Sequence, residues 1–308
     1  MTLLCYDDVF LEHDTDGHPE SAERLKAVWD HLVETGIDRQ CMRSSWQPAT
    51  KQQLCRIHDL SYLDVVQQSA ELGGGRIEAD TVISQLSHYV ALQASGAVCH
   101  AVEEVASGRQ ANALCLVRPP GHHARARNAK GFCLFNHIAV GAKHAVDALG
   151  VDRVLIVDWD VHHGNGTQES FYDQENVGFL SIHRWPFYPG SGNASETGTG
   201  AGLGSTLNVP TEFGTSREVY LQRFAKALRT LAGKLRPDLI MISAGFDAHR
   251  SDPIGSLGLE VEDFAELTRL VRAAADEFCE GRIVSMLEGG YNPGVLPLCV
   301  ESHLKALL

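Results

Sequence analysis

Short apolar runs alternate with longer segments of helical period along most of this chain. The runs that we predict to be strands are 111–117, 153–158, 177–182, 238–243 and 282–287. The segments that we predict to be helices are 21–34, 51–70, 87–107, 136–149, 216–235, 260–280 and 295–308. Strands that alternate with helices form a parallel sheet covered on both faces. No internal repeat or low-complexity linker interrupts this pattern, and the length allows one large α/β domain or two smaller ones.

The bulk composition disfavours several classes of protein. The 308 residues carry a formal net charge of −13, which argues against nucleic-acid binding through a broad basic surface. Eight cysteines occur without a C-x-x-C pair, a pattern typical of reduced thiols in a cytoplasmic protein. The N-terminal residues lack the basic region of a signal peptide, and no apolar run approaches ~18 residues, so we expect no membrane segment. The composition does not indicate an oligomeric state.

Polar or ionisable side chains follow each of the five predicted strands. In an open parallel sheet, ligands bind beyond the carboxyl ends of the strands, so these positions are candidates for a functional site. In chain order, the segments are 118–123, 158–167, 183–184, 244–249 and 288–291. Their convergence predicts one site at one edge of the sheet. The segment 184–206 is too long for a routine connection and is rich in Gly, Ser, Thr and Pro, so it predicts a functional loop.

The segment 158–167, with the sequence DWDVHHGNGT, predicts a metal site. Alternate side chains of an extended segment share a face, so Asp158, Asp160 and His162 can point the same way. Carboxylate and neutral imidazole groups bind divalent metals such as zinc. Asp160 and His162, together with Asp247 from another strand end, would leave the open position of a catalytic zinc site. The alternatives are a solvated surface turn and, for Asp247, a helix N-cap.

Two adjacent histidines, His122 and His123, lie in a turn bounded by proline and glycine and predict acid–base catalysis. An imidazole can accept a proton from an attacking water near neutral pH and return it to a leaving group. Each ring needs a partner at its other nitrogen, and Asp158 and Asn165 are candidates. Because a carboxylate raises the basicity of an imidazole more than an amide does, the two rings are predicted to differ in protonation. The alternative is a packed structural turn.

Tyr291 follows Gly289 and Gly290, which would allow its phenol to swing over the site. A phenol donor near the metal would polarise a substrate carbonyl and stabilise the oxyanion that forms from it. The alternative is an aromatic side chain that only anchors its loop.

Together, these motifs resemble the zinc-dependent histone deacetylase family, which includes acetoin-utilisation proteins and acetylpolyamine amidohydrolases. The resemblance covers nearly the whole chain in the same order, and the double proline before the histidines is similar to the class II branch. The strongest matches are 118–123 (RPPGHH), 131–136 (GFCLFN), 157–167 (VDWDVHHGNGT), 243–249 (SAGFDAH) and 287–291 (LEGGY). Weaker matches are 18–20 (HPE) with Arg24, 57–58 (IH) with Tyr62, and 188–192 (YPGSG).

The resemblance implies a three-layer arginase/deacetylase-like α/β fold with an eight-stranded parallel sheet, in a single catalytic domain over 1–308. It implies Zn²⁺ on Asp160, His162 and Asp247, and Fe²⁺ is the alternative because the oxygen and nitrogen ligands accept both. It also implies a structural K⁺ site, whose residues are Asp158, Asp160, His162, Ser181 and Ile182.

The resemblance further implies catalytic roles. His123 becomes the general base and acid, and Asn165 orients it. His122 becomes an electrostatic partner that Asp158 orients, and Tyr291 polarises the amide carbonyl. The residues placed along the path of substrate and product are Phe132, Tyr188 and Ile254 for the tunnel and Arg24 for the acetate exit. Arg24 also lies in the first turn of a predicted helix, where packing is the alternative role.

The implied reaction is hydrolysis of an acetylated amine to acetate and a free amine. Polyamine-selective relatives have an acidic gatekeeper where this chain has Ile254. An apolar gatekeeper offers no partner for a second ammonium group, so we expect ε-acetyl-lysine in a peptide or protein as the substrate. Asp252 lies close by and keeps a small acetylated amine, such as a polyamine, as the alternative. Tyr188 stands where many relatives have phenylalanine, and its hydroxyl is expected to narrow the tunnel mouth or to donate to the substrate backbone.

Two further functions explain part of the pattern. A ureohydrolase on the same fold would use two bridged metals, which leaves the histidine pair and Tyr291 unexplained. A non-enzymatic acyl-lysine binding protein would usually have lost a metal ligand, the base or the tyrosine, and all of these are present. The sequence therefore predicts a zinc-dependent deacetylase.

Overall fold

Seven parallel strands form the central sheet of this structure, a computed structural model that describes residues 1–308. In chain order, the strands of the structure are β1 (Thr2–Cys5), β2 (Gly75–Glu78), β3 (Thr81–Ile83), β4 (Asn112–Cys115), β5 (Val154–Asp158), β6 (Val177–Arg184), β7 (Thr206–Thr211), β8 (Leu239–Ala244) and β9 (Ile283–Leu287). The order across the main sheet is β1-β4-β9-β8-β5-β6-β7, and β2 pairs with β3 in a separate hairpin. The strand that carries the predicted metal segment, β5, is therefore flanked by β8 and β6.

Helices cover both faces of the sheet, so the predicted three-layer α/β fold is confirmed. In chain order, they are α1 (Ala22–Thr35), α2 (Lys51–Leu54), α3 (Leu60–Glu71), α4 (Ser87–Ala106), α5 (His137–Leu149), α6 (Asn165–Phe171), α7 (Arg217–Leu235), α8 (Val261–Phe278) and α9 (Leu296–Leu307). Helices α4 and α5 pack together, whereas α1, α9, α8 and α7 form a separate row. The central strands are buried throughout, as a parallel sheet between two helical layers requires. None of the helices has both the length and the apolar character needed to cross a bilayer.

The main sheet has seven strands, so the eight strands implied by the family resemblance were wrong for this chain. Next to β1, a single parallel bridge joins Leu3 to Met42. Two backbone hydrogen bonds of 2.9 Å connect Met42 to β1. The bridge does not extend into a strand: Ile37–Gln40 forms a 3₁₀ helix before it, and residues 43–45 after it are exposed and irregular.

The predicted helix 51–70 is interrupted between α2 and α3, so this prediction was wrong at 55–59. The reason is the buried ring of His58. Its Nδ1 lies 2.9 Å from the backbone oxygen of Arg125, and its Nε2 accepts the backbone N–H of Asn136 at 2.9 Å. A continuous helix would carry the ring away from these partners, so tertiary contacts override the local helical pattern.

Two strands of the main sheet, β1 and β7, were not predicted. Strand β1 has only four residues, which is short for a periodicity signal. Strand β7 lies at the sheet edge, has a partly exposed pattern and contains Pro210, which only an unpaired edge tolerates. The predicted loop 184–206 is confirmed as mostly irregular between β6 and β7, with one 3₁₀ turn at Gly200–Gly202.

Candidate active site

The three predicted metal ligands lie together at the carboxyl edge of the sheet. One donor atom from each of Asp160, His162 and Asp247 lies within 4.8 Å of the other two. Nδ1 of His162 is 3.1 Å from Oδ1 of Asp160 and 3.0 Å from Oδ2 of Asp247. All three side chains are buried. Two ligands follow β5 and the third follows β8, so neighbouring parallel strands deliver all three to one point.

Backbone amides hold the two carboxylates in place. Asp160 accepts the N–H groups of His162 and Gly289, both at 2.9 Å, and Oδ1 of Asp247 accepts that of Val161 at 2.8 Å. A Cβ atom at position 289 would lie 2.4 Å from Oδ2 of Asp247 and 2.5 Å from Oδ2 of Asp160. The loop after β9 therefore approaches the ligands at a distance that only glycine permits.

The donor set fits a divalent cation. Oδ2 of Asp247 is buried and accepts no hydrogen bond, although Nδ1 of His162 is 3.0 Å away. One cation could therefore take a donor atom from each of the three residues. Burial, and then the charge of Asp160, raise the pKa of Asp247 to about 7, because two carboxylates share one site. A cation at this point would partner the free oxygen and compensate both charges.

The two histidines of the predicted catalytic pair have different partners. Nδ1 of His122 lies 2.9 Å from Oδ2 of Asp158, and Nδ1 of His123 lies 2.8 Å from Oδ1 of Asn165. The two ring centroids are 4.0 Å apart. Asp158 is the last residue of β5 and Asn165 the first of α6, so one short connection supplies both partners.

Burial and the neighbouring charges shift the pKa values of these rings in opposite directions. Burial, and then the charge of His122, lower the pKa of His123 well below its usual value. Burial also acts to lower the pKa of His122, but the charges of Asp158 and Asp160 outweigh it and hold that pKa well above its usual value. These opposite shifts favour the charged form of His122 and the neutral form of His123.

Glu288 is a buried residue of the candidate segment 288–291, for which the sequence analysis predicted no individual role. Its Oε2 accepts the backbone N–H groups of Gly121 at 2.7 Å and His122 at 3.2 Å, and its Oε1 accepts the hydroxyl of Ser243 at 3.0 Å. Burial raises the pKa of Glu288 to about 7. This carboxyl group connects the histidine turn to the ends of β8 and β9. In the sequence, the feature that could have indicated its role is an acidic residue directly after an apolar strand.

Tyr291 is 8% exposed, and it lines a cavity at the site. Its backbone N–H donates to Oδ2 of Asp252 at 2.7 Å. Oδ1 of Asp252 accepts the N–H groups of Ile254 and Gly255, both at 2.9 Å. Asp252 therefore binds backbone groups and fixes the tyrosine loop, and it does not line the cavity.

The cavity has a volume of about 320 Å³ and is lined in part by the predicted metal ligand His162. Phe132, Tyr188 and Ile254, which were predicted for a substrate tunnel, all line it. The other lining residues are Asp80, His123, Gly131, His162, Phe187 and Tyr291. A mostly apolar cavity is thus lined by a predicted metal ligand and by His123, an arrangement that suits hydrolysis of an amide on a long side chain.

A tight turn places Phe132 in the cavity wall. Lys130 and Cys133 exchange backbone hydrogen bonds of 3.2 and 2.9 Å across this turn. Gly131 and Phe132 have φ values of +55° and +70°, as in a type I′ turn. A Cβ atom at Gly131 would lie 2.2 Å from Cδ2 of His123, so the turn packs directly against the histidine.

Two cavity residues, Asp80 and Phe187, were missed by the sequence analysis. The ring of Phe187 stacks on His162, with centroids 5.2 Å apart and an interplanar angle of 15°. Tyr188 donates its hydroxyl to Oδ2 of Asp80 at 2.7 Å, and Gly131 donates its N–H to Oδ1 at 3.1 Å. Asp80 lies in the β2–β3 turn, 108 positions from Tyr188. No local pattern indicates a contact over that separation.

Arg24 contacts the loop that carries Tyr291. It donates to the backbone oxygen of Glu288 at 2.8 Å and to that of Gly290. Its guanidinium carbon lies 4.7 Å from the ring centroid of Tyr291. Arg24 is fully buried and also donates to Glu20 at 2.9 Å. These contacts support the loop, and the role in acetate exit stays a prediction.

Ser181 and Ile182, predicted for the monovalent-cation site, lie in β6 and are fully buried. Ser181 is in register with Asp158 of β5. Oδ1 of Asp158 accepts the N–H of Asp160 at 3.0 Å, and the hydroxyl of Ser181 lies 2.9 Å from Nδ1 of His183. The fold thus brings the predicted residues to adjacent strand positions, and the K⁺ site itself stays a prediction.

Comparisons with known proteins confirm the family resemblance. The profile of the histone deacetylase domain matches residues 18–307. A probable deacetylase of Archaeoglobus fulgidus is 38% identical over 301 residues, which cover 96% of this chain and 83% of that protein. The human polyamine deacetylase HDAC10 is 38% identical over 308 residues, which cover 96% of this chain and 45% of that protein. The solved HD domain of HDA15 matches with a TM-score of 0.94 at 36% identity, covering 100% of this chain and 88% of that one.

Proposed function

Because the chain belongs to the histone deacetylase family, we propose that it removes the acetyl group from ε-acetyl-lysine side chains in peptides or proteins. One observation carries this proposal, namely the cavity that ends at His162 and His123. Phe132 and Phe187 form part of its walls and suit the uncharged chain of an acylated lysine. The scissile amide would then lie beside a metal ligand and a neutral imidazole.

We assign a divalent cation to Asp160, His162 and Asp247, with Zn²⁺ as the first choice and Fe²⁺ as the alternative. When bound, the cation supplies Lewis-acid chemistry that polarises a carbonyl group and makes water a stronger nucleophile at neutral pH. The free oxygen of Asp247 and the convergence of three donor atoms support this assignment.

His123 transfers the proton in the proposed reaction. Its Nδ1 lies beside the amide oxygen of Asn165, so Nδ1 carries the hydrogen and Nε2 is free to accept a proton from water. The amide partner carries no charge that would retain this proton, and the ring can pass it to the leaving amine. His122 is bonded to the carboxylate of Asp158 and remains cationic, which stabilises negative charge on the reacting group.

Tyr291 donates a hydrogen bond to the substrate carbonyl in this proposal. Burial holds the pKa of its phenol well above the usual value, so the hydroxyl keeps its proton at neutral pH. Asp252 and Arg24 fix the loop on either side of the ring. A donor that is already in place stabilises the developing oxyanion without reorganisation.

The cavity favours a lysine side chain over a polyamine because its surroundings lack a free acidic partner for a second ammonium group. Ile254 occupies the gatekeeper position. Both oxygens of Asp252 bind backbone N–H groups. The carboxylate of Asp80 already accepts the hydroxyl of Tyr188 and the N–H of Gly131.

A small acetylated polyamine is the alternative substrate, and Asp80 is the observation that favours it. Burial acts to raise the pKa of Asp80, but hydrogen bonds from Tyr188 and Thr81 outweigh it and lower that pKa. The carboxylate is therefore charged at neutral pH and lines the cavity. A distal ammonium group could bind it after displacing the tyrosine hydroxyl.

Two further assignments complete the proposal. A structural K⁺ ion would bind at Asp158, Ser181 and Ile182 together with backbone oxygens of Asp160 and His162. Their positions at the ends of adjacent strands support it. We place the protein in the cytoplasm, because all eight of its cysteines are free thiols.

A rate comparison on the zinc-loaded protein tests the substrate. The values of kcat/KM are measured for an ε-acetyl-lysine peptide, N-acetylputrescine and N⁸-acetylspermidine. We expect the peptide to exceed both polyamines by about tenfold or more. A preference for either polyamine would establish the alternative substrate, and no hydrolysis of any of the three would contradict the deacetylase proposal.

A further inference from the structure

A second cavity, with a volume of about 470 Å³, lies beside the substrate tunnel. Two of its lining residues connect it to the tunnel. Asn165 is the partner of His123, and Pro189 directly follows the tunnel residue Tyr188. The charged residues in its wall are Arg125, Lys130, Glu169 and Glu196. This cavity is polar, in contrast to the tunnel.

Most of these charges already have partners. Arg125 and Glu169 form an ion pair with each other. Glu196 accepts hydrogen bonds from the side chain of Gln168 at 2.6 Å and from the backbone N–H groups of Gly192 and Asn193. Four other lysines pair with carboxylates, namely Lys26, Lys51, Lys143 and Lys305. Lys130, like Lys226 and Lys234, forms no ion pair, and it is the one of these three that lines this cavity. Its charge acts on Asp80 from beyond ion-pair distance.

The backbone holds Lys130 at the boundary between the two cavities. Lys130 opens the type I′ turn that carries Phe132 into the tunnel wall, and its backbone hydrogen bonds to Cys133 close that turn. Its ammonium nitrogen lies 5.0 Å from the ring centroid of Tyr188, within the range of a cation–π contact. Tyr188 is itself held by Asp80. The half-buried cation therefore has a defined position beside the tunnel.

We propose that Lys130 binds a carboxylate that the substrate carries next to its acyl-lysine side chain, and that the second cavity accommodates this group. The inference rests on the proposed function, since the acyl-lysine must fill the tunnel. Its main chain and neighbouring groups then remain outside, beside Tyr188. A carboxylate at that point compensates the charge of Lys130, whereas an ammonium group is repelled. The negative charge of Asp80 weakens this preference, but its hydrogen bonds to Tyr188 and Gly131 occupy both of its oxygens and leave neither free for an ammonium group.

Two kinds of substrate supply this carboxylate, and matched substrates distinguish them. The first is an Asp or Glu side chain next to the acyl-lysine, tested with peptides that differ only in having Glu, Ala or Arg at that place. The second is an α-carboxylate, tested with C-terminal ε-acetyl-lysine as the free acid and as the amide. We expect kcat/KM to be about threefold higher for the substrates with the carboxylate than for their neutral counterparts. The difference is expected to shrink as the salt concentration rises.

Substitutions of Lys130 connect this preference to one side chain. Lys130→Met is expected to bring the Glu/Ala rate ratio close to one, and Lys130→Arg to preserve it. Lys130→Glu is expected to reverse the ratio in favour of the Arg peptide, a result that misfolding cannot produce. The matched control is Arg127→Met, which removes a cation of the same segment that pairs with Asp59 and does not line the cavity.

The possible outcomes distinguish a failure of the inference about Lys130 from a failure of the proposed deacetylase function. Hydrolysis of the Ala peptide with equal rates for the Glu and Arg peptides would overturn the role of Lys130 and leave the deacetylase proposal intact. A preference that persists in Lys130→Met, or that disappears equally in Arg127→Met, would assign it to another group. If no peptide is hydrolysed, the proposed function fails and the inference fails with it.

Discussion

The side-chain oxygen of Asn165 lies 2.8 Å from Nδ1 of His123, whereas the neighbouring ring of His122 has the carboxylate of Asp158 at 2.9 Å. Two adjacent residues of one turn thus differ in the charge of their partners. A charged partner retains a proton on its ring, and a neutral partner allows the proton to leave. This difference underlies the assignment of proton transfer to His123.

The first prediction concerns this histidine pair. His123→Ala is expected to lower kcat about 10²–10⁴-fold, because it removes the proton acceptor for the attacking water. The metal content, measured by elemental analysis, is expected to stay at the wild-type level, since no ligand is removed. If His123→Ala kept a near wild-type rate while His122→Ala was inactive, the two roles would have to be exchanged.

The second prediction concerns the metal ligands. Asp247→Ala and His162→Ala are each expected to lose bound metal and activity together, because three protein ligands are the minimum of a catalytic zinc site. Metal content and turnover are measured on the same samples. Asp152→Ala removes an exposed carboxylate just before β5 and serves as the control. Full metal occupancy in both ligand variants would rule out the ligand assignment.

The third prediction separates an enzyme from a binding protein. Tyr291→Phe is expected to lower kcat about 10²–10³-fold, because one oxyanion donor is lost. Binding of a metal-directed inhibitor, measured by calorimetry, is expected to persist. Tyr89→Phe removes an exposed hydroxyl away from the cavity and is the matched control. An unchanged kcat in Tyr291→Phe would show that the phenol only anchors its loop.

The fourth prediction concerns stability at acid pH. Glu20 is buried and accepts hydrogen bonds from Arg118 at 2.6 and 2.9 Å and from Arg24 at 2.9 Å. Burial acts to raise the pKa of Glu20, but Arg118 and then Arg24 outweigh it and lower that pKa from 4.5 to about 2. Because the folded state holds this proton less tightly than the unfolded state, the stabilisation is complete above about pH 4.5 and is lost as the pH falls towards 2. Its size is on the order of 3 kcal/mol.

Denaturant unfolding between pH 7 and 3 measures this dependence. Glu20→Gln is expected to cost about 3–5 kcal/mol at pH 7, because it leaves two buried guanidinium groups without their carboxylate. The variant is also expected to lose less of its remaining free energy of unfolding on acidification. Asp30→Asn, in an exposed pair with Lys26, is expected to change stability by less than about 0.5 kcal/mol. Equal effects of the two substitutions would contradict the prediction.

The fifth prediction concerns the gatekeeper. Ile254→Glu is expected to raise kcat/KM for N⁸-acetylspermidine about tenfold relative to the lysine peptide, because it supplies a carboxylate for the second ammonium group. Ile254→Gln is the matched control, since it has the same length and polarity without the charge. A similar change in both variants would indicate that the size of the residue, and not its charge, sets the preference.

The local sequence predicted the central strands well, because a parallel sheet covered on both faces needs continuous apolar runs. Strands β5, β8 and β9 follow from such runs. The edge strands were harder to predict from the sequence, because β7 is partly exposed and β1 has only four residues. The prediction of one helix over 51–70 was wrong around His58, because contacts of its ring with distant backbone groups outweigh the local helix propensity.

The sequence by itself predicted a metal site, because Asp158, Asp160 and His162 alternate along one extended segment directly after a buried strand. Only the tertiary structure decided which groups remain free to act. Asp252 was a candidate for binding a second ammonium group, yet backbone N–H groups occupy both of its oxygens. Nothing in the local sequence indicated a role for Lys130. Its position beside Tyr188 depends on the path of loops from separate parts of the chain. Alternation along a strand is a local property of the backbone, whereas the pairing of charges requires segments far apart in sequence to meet.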